Sequence, residues 1–147
     1  MASIRNFFTK KNKEDIKKAI LNAELDTSGE IRVHLESYCK EEVLDRASYL
    51  FPKLGMQNTE LRNGVLFYIA VKSQKFAIIG DTGINEVVPE NFWDNIRNVM
   101  LEHFREDNFA EGLEEGIAMA GQQLKEHFPY QKDDVNELPD EISFGEN

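Results

Sequence analysis

Two apolar runs joined by a polar turn are the strongest pattern along the chain. Residues 64–71 (GVLFYIAV) show no alternation, and residues 76–79 (FAII) follow after Lys72-Ser73-Gln74-Lys75. Their length and their β-branched and aromatic content predict two strands in a hairpin rather than a buried helix. A strand that is apolar on both faces must be covered on both, so helices are expected above and below the sheet. Upstream, Ile31, Val33 and Leu35 alternate with Glu30, Arg32, His34 and Glu36, the pattern of a strand near a sheet edge with one polar face.

Elsewhere the apolar positions repeat at helical spacing. Asn12, with Asp15 three residues on, predicts a helix start, and Ile16, Ala19, Ile20 and Ala23 then share one face until residues 26–29 end the helix. Val43, Leu44, Ala47, Leu50 and Phe51 form a second stripe that Pro52 and Gly55 close. Pro89 opens a third, with Phe92, Trp93, Ile96, Val99, Met100 and Phe104. Asp107 or Asn108 caps a fourth, with Phe109, Leu113, Ile117, Ala120, Leu124 and Phe128 inward. Its Gly112, Gly116 and Gly121 each cost roughly 1 kcal/mol relative to alanine and point to a close approach of this helix to the sheet. The order helix, strand, helix, strand, strand, helix, helix predicts a single-domain α/β sandwich. In it a small mixed sheet, a parallel crossover plus an antiparallel hairpin, is flanked by helices on both faces.

Length and charge narrow the picture. A chain of 147 residues suits one domain, read as an arm over residues 1–7, a domain over 8–129 and an acidic tail over 130–147. The tail has no periodicity and is expected to be disordered, touching down at Ile142 and Phe144. A formal charge of −10 repels phosphate backbones, which sets nucleic acid aside in favour of a divalent cation or a basic protein partner. The single cysteine, Cys39, fits a reducing compartment. The N-terminus holds no apolar core of the ~7–15 residues a secretion signal needs, and no run approaches the ~18 apolar residues of a membrane span. A soluble, cytoplasmic protein is the expectation.

Candidate chemistry lies where the hairpin ends, at Gly80-Asp81-Thr82-Gly83. The third strand runs against the other two, so Asp81 shares a sheet edge with Glu30 and with Glu60 and Asn63, and Glu86 and Glu90 leave from the same edge. Carboxylate, amide and backbone oxygens without a histidine or cysteine cluster suit Ca²⁺ or Mg²⁺ rather than zinc. The plainer alternatives are that Glu30 is a solvated acid and Asn63 a turn former ahead of Gly64. Residues 81–92 are not an EF-hand loop, because Gly83 and Val87 stand at ligand positions and Phe92 where the closing glutamate belongs. Asp81-Thr82-Gly83 looks like an aspartic-protease triplet, but those folds are nearly all strand. Cys39 and Arg46 have the wrong spacing for a cysteine-phosphatase loop, and His34, His103 and His127 fall on separate elements.

The series Thr27-Ser28-Gly29-Glu30-Ile31-Arg32-Val33, Asn63-Gly64-Val65-Leu66, Ile79-Gly80-Asp81-Thr82-Gly83-Ile84 and residues 104–112 (FREDNFAEG) resembles the TPM domain family. That family includes thylakoid-lumen proteins of photosystem II repair, a receptor-accessory protein of animals and many bacterial proteins. The resemblance implies helices around a mixed sheet, divalent-metal binding, commonly of calcium, and an acid phosphatase activity. It carries Asn63 and Asp81 over as metal-site residues, with Glu30 and Glu90 beside them, and makes Asp107 a helix cap at the opposite edge. Three functions are therefore expected as alternatives. The first is a calcium- or magnesium-binding module of regulatory or binding role. The second is a weak metal-dependent phosphatase using a metal-activated water, and the third a peptide-binding adaptor.

Overall fold

A computed structural model describes residues 7–130 and 142–145. The elements are α1 (Lys10–Glu24), β1 (Glu30–Glu36), α2 (Val43–Lys53), β2 (Gly64–Ala70), β3 (Lys75–Gly80), α3 (Thr82–Asn85), α4 (Phe92–Arg105), α5 (Phe109–His127) and β4 (Ser143–Phe144). The sheet order is β3-β2-β1-β4. As the patterning predicts, β1 and β2 pair in parallel with Glu30 opposite Gly64, and β2 and β3 pair antiparallel with Val65 opposite Gly80. Among the described residues, no helix is long and apolar enough to cross a membrane.

Every residue of β2 is buried, and alternation divides them between two cores. Val65, Phe67 and Ile69 join Ile31, Val33 and Leu35 under α1, α4 and α5, which contribute Ile16, Ile20, Ile96, Met100, Leu113, Ile117 and Leu124. Leu66, Tyr68 and Ala70 face the other way, toward Ala47, Leu50 and Phe51 of α2 and Met56 after it. Leu44, assigned to the α2 apolar stripe from its spacing, is instead exposed. The glycines of α5 serve close packing on helices more than on the sheet: Gly112 meets His103 and Phe104, Gly116 meets Met100 and Phe67, and Gly121 meets Ala23.

Two boundaries differ from the sequence expectation, and a third falls on one of its two candidates. Thr9, not Asn12, caps α1: its hydroxyl accepts from Asn12 N–H at 3.0 Å while Asn12 Oδ1 accepts from Thr9 N–H at 3.3 Å. This is a reciprocal box in which Asn12 sits three residues into the helix. Pro89 lies in the turn before α4, and the short α3 forms ahead of it. Asn108 is the N-cap of α5 and makes no side-chain cap bond, whereas Asp107 adopts a left-handed φ of 62° beside it. The tail touches down at Ile142 and Phe144 as expected, both packing against the main core. Residues 131–141 lie outside the described residues, but Ser143 and Phe144 form β4 and make β1 an interior strand.

The largest correction concerns the polar face of β1. Glu30, His34 and Glu36 are all buried. Glu36 accepts from Arg46 Nε at 3.0 Å and Nη2 at 2.6 Å and from the Tyr68 hydroxyl at 2.6 Å. Burial pushes the Glu36 carboxyl up, yet these bonds outweigh it and leave the group below its usual range. Burial is also the main force on His34, and it lowers the imidazole below its ordinary value of 6.5.

Two outcomes are expected. Below about pH 6.5 the unfolded chain binds a proton at His34 that the folded chain refuses, so stability falls with pH by up to ~1.4 kcal/mol per unit until the depressed folded pKa is reached. The loss resumes at the ordinary carboxylate value of 4.5, where the unfolded chain takes up a proton at Glu36, and ends once the folded carboxylate is itself protonated at its lowered value. His34→Gln flattens the first fall in urea denaturation between pH 8 and 5, and an unchanged slope would contradict a buried neutral imidazole. Gly121→Ala drives a methyl into Ala23 of α1 and costs about 1–3 kcal/mol by the same assay.

Candidate functional site

The edge of the sheet formed by the starts of β1 and β2 and the end of β3 is built by two loops locked together. Gly83 N–H donates to Arg62 O at 2.8 Å, and a Cβ on Gly83 would run into the carbonyl oxygens of Leu61 and Arg62. Only glycine permits that approach. Asn85 Nδ2 donates to Gly80 O at 2.8 Å and Trp93 Nε1 to Asn85 Oδ1 at 2.9 Å, which ties α3 to the end of β3 and to α4. Opposite, Asn63 N–H donates to Thr59 Oγ1 at 3.1 Å, and Arg62 takes a left-handed φ of 53°. A non-glycine residue held there costs of order 1 kcal/mol or more and marks a conformation imposed by its surroundings.

Asp81 N–H donates to Gly64 O at 2.9 Å, and Glu30 N–H to Asn63 O at 3.4 Å. The backbones of the three strands therefore bring Asp81, Asn63 and Glu30 together at one edge, as their topology predicts. Strand alternation puts Glu30, Gly64 and Asp81 on the α2 face in a row. Gly64 leaves the middle of that row without a side chain, and the Met56 carbonyl oxygen occupies the gap, 2.9 Å from where a Cβ would stand. Asn63 turns away from this row, and its Nδ2 donates to Ser28 Oγ at 3.2 Å. Glu90 is exposed in the turn before α4, and no contact joins it to the other three.

All three gathered side chains are buried: Glu30 is 3% exposed, Asn63 1% and Asp81 6%. Asp81 is held by a two-pronged ion pair, Arg62 Nε to Oδ2 at 2.7 Å and Arg62 Nη2 to Oδ1 at 2.9 Å, and its Oδ1 also accepts from Thr82 N–H at 2.7 Å as the cap of α3. The same contact raises the Arg62 guanidinium above its ordinary value. Arg62 itself is about half exposed, at 49% of its side chain, so a water-facing cation neutralises a buried anion. Asn63 Oδ1 is buried and accepts no hydrogen bond, which leaves an amide oxygen in need of a partner. The sequence reading missed Arg62, which it placed in a polar loop, and it missed Ser28. Neither carries a periodic signal. No group of three or more histidine, cysteine or acidic side chains that could hold a metal ion converges among the described residues. A cavity of about 350 Å³ opens at the opposite edge beneath Phe7, Phe76, Phe104 and Phe109, and its aromatic walls are chemically unrelated to this edge.

Fold and site together define a class, a helix-flanked mixed sheet with buried carboxylate and amide oxygens at the edge where β1 and β2 begin. The chain belongs to the TPM domain family, whose profile matches residues 4–123. It is similar to the BA42 protein of the psychrophilic bacterium Bizionia argentinensis, solved by NMR, at 49% identity and a TM-score of 0.89 over 99% of this chain and 100% of that one. Two more distant structures share the fold. The N-terminal domain of a P. gingivalis protein is 23% identical with a TM-score of 0.70 over 86% of this chain and 83% of that one. The N-terminal domain of cg2496 from Corynebacterium glutamicum is 14% identical with a TM-score of 0.62 over 80% and 74%. No curated protein matches the chain.

Asp81→Ala removes the cap of α3 along with the partner of Arg62. The expected cost is about 1–2 kcal/mol from the cap alone, read as a lower urea midpoint, with amide shifts concentrated in residues 59–64 and 80–86. Shifts spread evenly over the domain would contradict a locally locked edge.

Proposed function

We propose that this TPM domain is a divalent-cation binding module, with Ca²⁺ preferred and Mg²⁺ held less tightly. The observation that carries the reading is the buried, unpartnered Asn63 Oδ1 at the same sheet edge as two buried carboxylates, Glu30 and Asp81. A buried acceptor that receives no hydrogen bond is unfavourable, and a hard cation or a water relieves it. Asp81 and Glu30 would hold the ion, with the Met56 carbonyl as a nearby backbone oxygen, and the Asn63 amide, now turned toward Ser28, would rotate to join them. Glu90 would have to move to contribute. When bound, the ion supplies positive charge that the edge otherwise draws from Arg62.

Arg62 then has a defined part. It satisfies Asp81 in the metal-free domain, and its half-exposed side chain can leave for solvent at little desolvation cost. The ion and the guanidinium compete for one carboxylate, so cation binding frees a positive side chain at the surface.

Two hydroxyls near this edge, those of Thr27 and Ser28, are hydrogen-bonded, so the phosphatase alternative rests on a metal-activated water rather than on either of them. Thr27 Oγ1 accepts from Gly29 N–H and sits between the carbonyl oxygens of Leu124 and Phe128, and Ser28 accepts from Asn63.

Titration of Ca²⁺ and Mg²⁺ against backbone amide NMR tests the proposal. Saturable shifts are expected at residues 27–30, 56–64 and 80–86. Asp81→Asn should weaken binding at least tenfold, and Arg62→Gln should tighten it several-fold by removing the competing cation. Absence of saturation up to millimolar ion would mean that water meets Asn63. Metal-dependent turnover of a phosphate monoester, lost in Asp81→Asn, would favour the phosphatase alternative.

A further inference from the structure

The C-terminal segment of the described chain sits on the domain in the way a peptide ligand sits on a sheet edge. Ser143 and Phe144 pair in parallel with His34 and Leu35, and Gly145 N–H donates to Leu35 O at 2.8 Å. Each side chain of the segment meets a distinct surface. Ile142 and Phe144 pack half-buried against the main core, with Lys13 Nζ 5.7 Å from the Phe144 ring centroid. Ser143 Oγ lies 2.7 Å from His34 Nδ1 and donates to Val33 O at 3.3 Å. A Cβ at Gly145 would come within 2.6 Å of Glu36 Cγ and Oε2, so that position takes glycine alone. The edge thus reads an apolar residue, a small hydroxyl, an aromatic ring and a glycine in order.

The attachment to the domain is long enough to let this segment go. Tyr130 N–H donates to Asp26 O at 2.8 Å, near the start of β1, and the next described residue is Ile142, near the middle of β1. Seven strand residues span roughly 23 Å, whereas the chain over residues 131–141 can extend roughly 36–40 Å. The segment can therefore leave and return without moving the domain. The rest of this β1 edge is guarded differently, since the Glu24 carboxylate accepts from Ile31 N–H at 2.8 Å. A strand edge protected in this way by a short removable piece remains a template for another strand.

We infer that the outer edge of β1 around residues 33–36 is a strand-addition site for an extended peptide of the pattern apolar, Ser or Thr, aromatic, Gly, and that residues 142–145 are its tethered resident competitor. The resident belongs to the same chain as the edge it covers, so an outside peptide enters only when the segment is displaced or when it offers a longer strand. The site is independent of the cation edge and stands or falls separately from it.

The test uses the full-length chain, wild type and Phe144→Asp, followed by amide NMR, with a synthetic peptide of residues 140–147 (DEISFGEN) added in trans. Phe144→Asp is expected to shift the amides of residues 33–37 while leaving residues 59–86 in place. Added peptide should then reverse those shifts saturably, and a scrambled peptide should not. Wild type should bind the peptide at least tenfold more weakly. Gly145→Val, whose Cβ would run into Glu36, serves as a second displaced form. Unmoved amides at residues 33–37 would mean the segment is not seated, and displaced forms that bind no peptide would mean there is no site. Loss of the fold in both variants would make the segment part of the core. Any of these three results overturns the inference.

Discussion

Burial of β2 on both faces is the constraint on which the rest of this domain depends. A strand with no solvated side must have a helix layer on each face and a neighbour on each edge. Here α1, α4 and α5 cover one face and α2 the other, while β1 and β3 flank it. The consequence falls on β1, whose alternating polar residues are drawn inside with it. Charge placed there is matched locally: Glu36 draws on Arg46 from α2 and on Tyr68 from β2 itself. Breaking such a buried arrangement by removing one partner strands the other, which is why it persists although a purely apolar replacement need not be less stable.

The same constraint organises the functional edge. Packing helices on both faces leaves the ends of the strands as the places where polar side chains can gather at the margin of the core. At the end where β1 and β2 begin, the interlock of Gly83 with the Leu61 and Arg62 carbonyls fixes where Asp81 and Asn63 stand. The outcome is a buried carboxylate paired with a half-exposed guanidinium at the same edge as an unsatisfied amide oxygen. The proposed cation response rests on this ion pair being replaceable within a rigid frame.

Much of the fold was legible because long elements repeat their signals. The hairpin of residues 64–79, the parallel crossover from β1 to β2 and the convergence of Asp81, Asn63 and Glu30 all follow from period and strand direction. What escaped the sequence reading depends on partners distant along the chain. The alternation of β1 announces a polar face but cannot say that Arg46 will cover it. Tyr68 sits inside an apolar run, where its hydroxyl gives no separate signal. Arg62 has no periodic context, and its pairing arises from a left-handed turn. β4 is two residues long, too short for any alternation to show. Thr9 and Asn12 both have capping side chains, and the choice between them is settled by the reciprocal bond that only the pair can make.

Competition between a metal ion and Arg62 for Asp81 is the central claim, and the side-chain Nε–H resonance of Arg62 reports on it directly. It should be followed by ¹H–¹⁵N NMR through a Ca²⁺ titration at constant ionic strength. The expected result is a downfield, slowly exchanging ion-paired signal that moves to the position and fast water exchange of a free guanidinium, in step with the amides of residues 56–64 and 80–86. An Arg62 signal that stays ion-paired while those amides saturate, or that never moves at millimolar Ca²⁺, would contradict it.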